Sequence, residues 1–425
     1  MTTSSLSARA PDRLPLIALF AANAISQVGN MLTSVAIPWF VLQTTGSAVQ
    51  TGISIAALSL PLFIAGFLGG GLVDRLSAKR LSILSDALSG ITVAAIPLLY
   101  AANLLTYPLL LLLVFLGAVL DTPGGTARQS ILPDLIERAA ISPDRANSIY
   151  QAIFRFSILV GPPLAGVLIA LLGTANVLWL DAATFAVSAL LIARTVPYRM
   201  PAPQQHSSYL AEVTAGVRFM RRDRLLWSLL ILFSLVDLLA NSLLLVVVPV
   251  YAARLFGSAV DFGVILSGLG GGMLAGTLLF GAAGHRLPRR ATMACGLLLS
   301  SLPVCLLILL PGLPATIAIF VLMGFGLGPS ATLAMTAFQQ RTPAELRGRV
   351  FGARVAVQTA SIPLGAFVTG VLLEAVGLTA TVAGIALLYL AVCAASPFVP
   401  AMRQLDWPND PTVASPASMR SHQAT

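Results

Sequence analysis

Ser234, Asp237 and Asn241 stand three and four residues apart inside an apolar run that extends from 226 to 252. That spacing places them on one face of a helix. At about 1.5 Å per residue, Asp237 falls near the middle of a membrane-length segment. An ionised carboxylate there costs at least ~2.5 kcal/mol unless it is paired, hydrated or protonated. Such a group can take up and release a proton. Asp121 and Asp181 lie in the apolar runs 104–125 and 176–195 and share the candidacy for proton coupling. Asn23, Ser26 and Asn30, with Gln27 and Ser34 beside them, form a second polar stripe within 15–42. These five, with Ser234 and Asn241, are candidates for lining an aqueous cavity. The alternative is that they only hydrogen-bond one helix to another. Arg155 lies several residues inside the run 146–171. A pair with Asp121 would form a gating element, because protonating the aspartate would release the arginine. The alternative is that Arg155 reaches back to the interface.

The elements that position these groups follow from composition. The chain has 425 residues, of which 57% are hydrophobic and 10% charged, and a mean hydropathy of +0.90. So few charges could not cover the core of a soluble protein of this length. Twelve charge-poor runs are long enough to span a bilayer: 15–42, 48–73, 81–101, 104–125, 146–171, 176–195, 226–252, 262–283, 291–311, 313–336, 350–374 and 378–400. Backbone amides must pair internally in lipid, so each run reads as a helix. The expected fold class is an all-α integral membrane protein with twelve transmembrane helices.

The net charge of +9 is a topology signal rather than a nucleic-acid footprint. Numbering the loops through twelve spans sends nearly every arginine and lysine to one side, and only Arg254 to the other. The positive-inside rule then puts both termini in the cytoplasm and the protein in the cytoplasmic (inner) membrane. Residues 1–14 read as a tail, 15–195 as one six-helix unit, 196–225 as a linker, 226–400 as a second unit and 401–425 as a loose polar tail. In the linker, Leu210, Val213, Val217 and Met220 fall at helical spacing beside Arg218, Arg221 and Arg222, the pattern of an interfacial helix.

The two units are copies. The stretch Asn23–Lys79 recurs as Ser234–Arg290 at a constant offset of 211 residues. Asn30, Pro38, Gly46, Gly52, Gly70 and Arg75 match Asn241, Pro249, Gly257, Gly263, Gly281 and Arg286. A duplicated, mostly apolar chain is the pattern of a transporter built as two bundles around a midplane site.

The segment GGLVDRLSAKR at 70–80 resembles the signature loop of the major facilitator superfamily. The resemblance implies two six-helix bundles related by a pseudo-twofold axis. It also implies a conformational latch made by Gly70, Asp74, Arg75, Lys79 and Arg80, with carboxylates such as Asp86 as partners. The segments DTPGGTARQSILPDLI at 121–136 and RANSIYQAIFRFSILVGPPLAG at 145–166 are similar to the macrolide-efflux and enterobactin-exporter branch. Gly161, Pro162 and Gly166 match the glycine–proline motif of antiporters, with Ala165 replacing one glycine. One departure is Asn30, where exporters of this branch often carry an aspartate.

The implied function is a secondary active transporter, a proton-coupled antiporter that exports amphipathic or hydrophobic molecules of drug, macrolide or siderophore type by alternating access. An uptake permease, a lysophospholipid flippase and a non-transporting solute sensor of the same fold stay open. Phe20, Met31, Phe233, Leu244, Met323 and Phe325 are expected as apolar cavity walls. No GxxxxGK[ST] phosphate loop occurs, and no cluster of cysteines with the three histidines, His206, His285 and His422, has metal-ligand spacing. ATP coupling, a metal cofactor and enzymatic chemistry are therefore not expected. The expected partners are a small-molecule substrate, protons and membrane lipids, with no nucleic acid, around a monomer driven by the proton gradient.

Overall fold

A computed structural model describes residues 12–75, 77–198, 209–283, 287–343 and 346–406. Among these, every regular element is helical. The first six are α1 (Leu14–Thr45), α2 (Ala48–Arg75), α3 (Ala78–Ala101), α4 (Tyr107–Ala139), α5 (Pro143–Leu172) and α6 (Thr174–Thr195). A linker helix α7 (Tyr209–Arg222) precedes α8 (Arg224–Ser242), α9 (Val248–Leu255), α10 (Ala259–Ala283), α11 (Arg289–Ser301), α12 (Leu313–Arg341), α13 (Arg347–Ala375) and α14 (Gly377–Ala395). Eleven segments are long and apolar enough to cross a membrane among the described residues, and α2 contributes a shorter apolar stretch, Ala48–Pro61.

Two of the expected spans are broken by proline. The seventh runs through α8, a π-turn at Leu243–Val247 and α9, in which Pro249 takes an opening position. The proline ring crowds the carbonyl four residues back, and the wider turn relieves that clash. The ninth ends as a 3-10 turn, Pro303–Leu309, after α11.

Within the first bundle α1 is central and packs on α2, α4, α5 and α6, while α3 packs on α4 and α6. In the second, α10 and α11 pack on α12, and α13 packs on α8. The bundles meet along two helix pairs, α2 with α13 and α5 with α10. These contacts are the duplication made visible. A Cβ added to Gly52 would lie 2.5 Å from the Ala366 carbonyl oxygen, and one added to Gly263, its copy, 2.7 Å from that of Pro162. Likewise Gly370 meets the Ala48 carbonyl and Gly166 that of Ala259, and Ala48 and Ala259 are again 211 apart. Backbones approach this closely only where side chains are absent. All four contacts lie toward the ends of the bundles whose loops are poor in arginine. Gly166→Val should therefore force those ends apart. In a background without native thiols, a cysteine at Thr369, now 3% exposed, should react at least about fivefold faster with an impermeant reagent, as an overpacking cost of about 1 kcal/mol requires. Unchanged reactivity would show that these glycines do not hold the ends together.

Two peripheral expectations change. The apolar face of α7 is seated on α13: Met220 is fully buried, and Gly216 abuts the Arg349 carbonyl. The helix is a strut, held also by Arg221 stacked 5.6 Å over the Trp227 ring. The C-terminal tail does not become loose at 401. A 3-10 turn, Pro400–Leu405, buries Met402 and Leu405, and Asp406 accepts from the Arg290 backbone N–H at 2.9 Å.

Candidate functional site

In the second bundle the site forms around Asp237, near the middle of the α8–α9 span. Gln358 on α13 donates its Nε2 to Asp237 Oδ2 at 2.7 Å, and Arg354, one turn earlier, donates to Gln358 Oε1 at 3.0 Å. The Arg354 guanidinium lies 5.0 Å over the ring of Phe338 on α12. Carboxylate, amide, guanidinium and aromatic face thus form one chain linking α8, α13 and α12. All three polar members are half-buried. In the sequence Arg354 stands near the start of the apolar run 350–374, a place that suits an interfacial charge. The structure puts it inside, because α13 begins at Arg347 and Arg354 is already two turns in. Gln358 carried no sequence signal beyond being four residues from Arg354. Asn241 donates back to the Asp237 backbone carbonyl at 2.7 Å. Ser234 Oγ is buried and has no hydrogen-bond partner among the described residues.

The first bundle uses the same duplicated stripe differently. Asn30 donates Nδ2 to Asp121 Oδ2 at 3.0 Å, joining α1 to α4. Ser26 faces Arg128, whose Nη2 lies 3.5 Å from Ser26 Oγ. Asn23 and Ser26 are fully buried, so these two expected cavity residues lie in the interior of the bundle. The helix face they share is the one that α4 covers. Gln27, Asn30 and Ser34 are half-buried. Among the expected apolar walls, Phe20, Met31, Leu244 and Phe325 are half-buried, whereas Phe233 and Met323 are core residues.

Asp121 does not pair with Arg155. Helix α4 continues to Ala139, which puts Asp121 near its middle, while Arg155 is exposed on α5. The cation beside Asp121 is Arg128, at 4.0 Å and two turns along the same helix face. Arg128 is 2% exposed and bonds Asp86 on α3 at 2.8 Å, while Ser188 on α6 donates to the other Asp86 oxygen at 2.7 Å. Asp86 is thus a buried internal partner, and the loop cations among the described residues, Lys79 and Arg80, are engaged elsewhere. The Asp86–Arg128–Asp121–Asn30 network ties together α1, α3, α4 and α6. Arg128 lies beyond the apolar run 104–125, and its seven-residue spacing from Asp121 is the signal that links the two.

Asp181 is fully buried between α1 and α6. Thr33 donates to it across the helix pair, and Thr184 donates at 3.1 Å. Of the signature loop, Lys79 donates to the Ala193 carbonyl at 2.7 Å, and Arg80 lies 4.9 Å over the Tyr198 ring. The expectations on Gly70, Asp74 and Arg75 fall on side chains outside the described residues. Gly161 packs on Met31 of α1, while Pro162 and Gly166 lie on the α5–α10 contact between bundles.

Between α4 and α5, at the arginine-rich end, a cleft of about 610 Å³ is lined by Gln129, Leu132, Pro133, Ile136, Glu137, Ile141, Asn147, Tyr150 and Gln151. Its mixed lining suits a molecule with both polar and apolar parts. Among the described residues no cluster of histidine, cysteine and carboxylate groups could hold a metal ion.

Residues 7–418 match the family described as transmembrane secretion effector. The chain is 34% identical over 408 residues to the multidrug efflux pump Tap of Mycolicibacterium fortuitum, covering 94% of this chain and 99% of that one. It is 28% identical over 356 residues to the enterobactin exporter EntS of Salmonella choleraesuis, covering 83% and 84%. The nucleoside transporter NupG superposes with a TM-score of 0.71 at 14% identity, over 92% of this chain and 98% of that one. A bacterial homologue of the iron transporter ferroportin, in an inward-facing state, gives 0.70 at 14% over the same shares. Two bundles joined at paired glycine contacts, a half-buried carboxylate at mid-span and a whole-length family match lead to one assignment: the chain is a transporter and not an enzyme, and it belongs to the transmembrane secretion effector family of the major facilitator superfamily.

Proposed function

We propose that this protein is a proton-coupled exporter of amphipathic organic molecules, working by alternating access in the cytoplasmic membrane with both termini inside. The observation that carries the coupling is the Asp237–Gln358–Arg354 chain, which joins a mid-membrane carboxylate to α13, the helix that meets α2 across the bundle interface. Protonation of Asp237 removes the charge that Gln358 and Arg354 stabilise, so α8 and α13 are held differently in the two protonation states. The efflux pump and exporter among the relatives support the outward direction. With the arginine-rich loops in the cytoplasm, contact at the arginine-poor ends corresponds to the inward-facing arrangement. The cleft between α4 and α5 then opens toward the cytoplasm, where an exporter loads. The Asn30–Asp121 bond is a second proton-sensitive contact. Asp181, fully buried with the Thr33 and Thr184 hydroxyls as its partners among the described residues, is a third candidate for carrying a proton. We take the functional unit to be a monomer in contact with membrane lipid.

The test is a susceptibility screen with amphipathic antibiotics and dyes, in cells with and without the protein. Resistance that a protonophore abolishes is expected. Accumulation of the probe in expressing cells would replace export by uptake. Protonophore-insensitive resistance would remove proton coupling.

A further inference from the structure

We infer that Glu374 is a positioning residue of the transport cycle: it clasps the two bundles at their arginine-poor ends by capping a helix of the opposite half. Glu374 lies in the last turn of α13, in the second bundle. Its Oε1 accepts the backbone N–H of Val49 at 3.0 Å and the hydroxyl of Ser47, both at the start of α2 in the first bundle. The start of a helix offers unpaired N–H groups and a partial positive charge, which a carboxylate satisfies. The end of α13 is an unfavourable place for that carboxylate by itself, because it faces the negative end of its own helix. The group therefore gains from the neighbouring bundle what its own helix denies it.

The duplication supplies an internal control. The copy of α2 is α10, whose first turn carries its own acid, Asp261, and whose Ser258 accepts from the backbone N–H groups of Val260 and Asp261. At the position equivalent to Asp261, 211 residues earlier, α2 has Gln50, and its first turn holds no acid. Both copies carry the serine cap, since Ser47 accepts from the Gln50 N–H at 3.1 Å, but the acid comes from within in α10 and from across the bundle interface in α2. The serine caps and an acid supplied from within survive when the bundles part, whereas the Glu374 carboxylate contact is lost. Its free energy is thus available to only one conformation, which is the condition for biasing an equilibrium. The glycine contacts of Ala48 with Gly370 and of Gly52 with Ala366 flank it on the same helix pair. This inference rests on the alternating-access reading above.

The experiment uses the full chain reconstituted in vesicles, with Cys295, Cys305 and Cys393 replaced and spin labels at Leu104 and Leu309, both exposed and one in each bundle. Pulsed electron spin resonance reads the distance between the arginine-poor ends. Glu374→Gln should raise the long-distance population roughly two- to fivefold, the range of a helix-terminus charge contact. Adding Gln50→Asp to Glu374→Gln gives α2 its own acid and should leave the long-distance population raised. Overlapping distributions for parent and Glu374→Gln would overturn the inference. So would a return to the parent distribution on adding Gln50→Asp, which would reduce the contact to local capping. Efflux by the parent is measured separately. A parent that exports nothing, yet opens on Glu374→Gln, would sink the export reading and leave the clasp standing.

Discussion

Vesicles carrying Asp237→Asn are expected to lose uphill efflux, by on the order of tenfold or more if this intramembrane carboxylate carries the proton, while downhill movement of the same dye persists. Asparagine has the size of aspartate, and its carbonyl oxygen still accepts from Gln358 Nε2, 2.7 Å away in the parent. The bundle therefore keeps its packing and its melting temperature. What is lost is the ability to alternate between charged and neutral, and with it the change in what Arg354 and Gln358 are held by. Dye efflux driven by an imposed pH gradient checks this directly. Wild-type rates with an unchanged pH dependence would remove Asp237 from the mechanism.

Arg128→Met is expected to act on folding rather than on coupling. It leaves Asp86 fully buried, with Ser188 as its remaining donor, and takes the cation away from Asp121. Removing one partner of a buried pair costs about 3–5 kcal/mol, because the other charge is stranded. That is a large share of the marginal stability of a folded protein. The yield of monodisperse protein in detergent should collapse. Asp86→Asn combined with Arg128→Met removes both charges and should recover most of the yield. A single Arg128→Met variant that melts with the parent would mean that the network carries little of the bundle's stability.

The contrast between these two sites explains how far residue types and spacing reach. Asp237 stood out because it is an acid in the middle of a long apolar run, and its place in the structure agrees. Arg128 falls outside the apolar run that ends at 125, where a loop charge would stand, whereas α4 runs on to Ala139. Helix length hides where hydrophobicity fades but buried polar pairs continue. The duplicated stripe misled in another way. Asn30 crosses to Asp121, while its copy Asn241 bonds its own helix. Equal spacing gives equal angles around one helix, but not equal neighbours.

The spans, the duplication, the superfamily and the sorting of basic loops to one face were all legible in the chain itself. Hydrocarbon and interface impose rules that act along one dimension: apolar length, backbone self-pairing and the placement of charge. Which groups meet was decided only in three dimensions. Asp86, Arg128 and Ser188 come from α3, α4 and α6, Arg354 and Gln358 reach α8 from α13, and Glu374 caps a helix of the other half. Each of those meetings depends on how neighbouring helices are rotated and how closely they approach, and small-residue packing sets both across contacts that no spacing along the chain records.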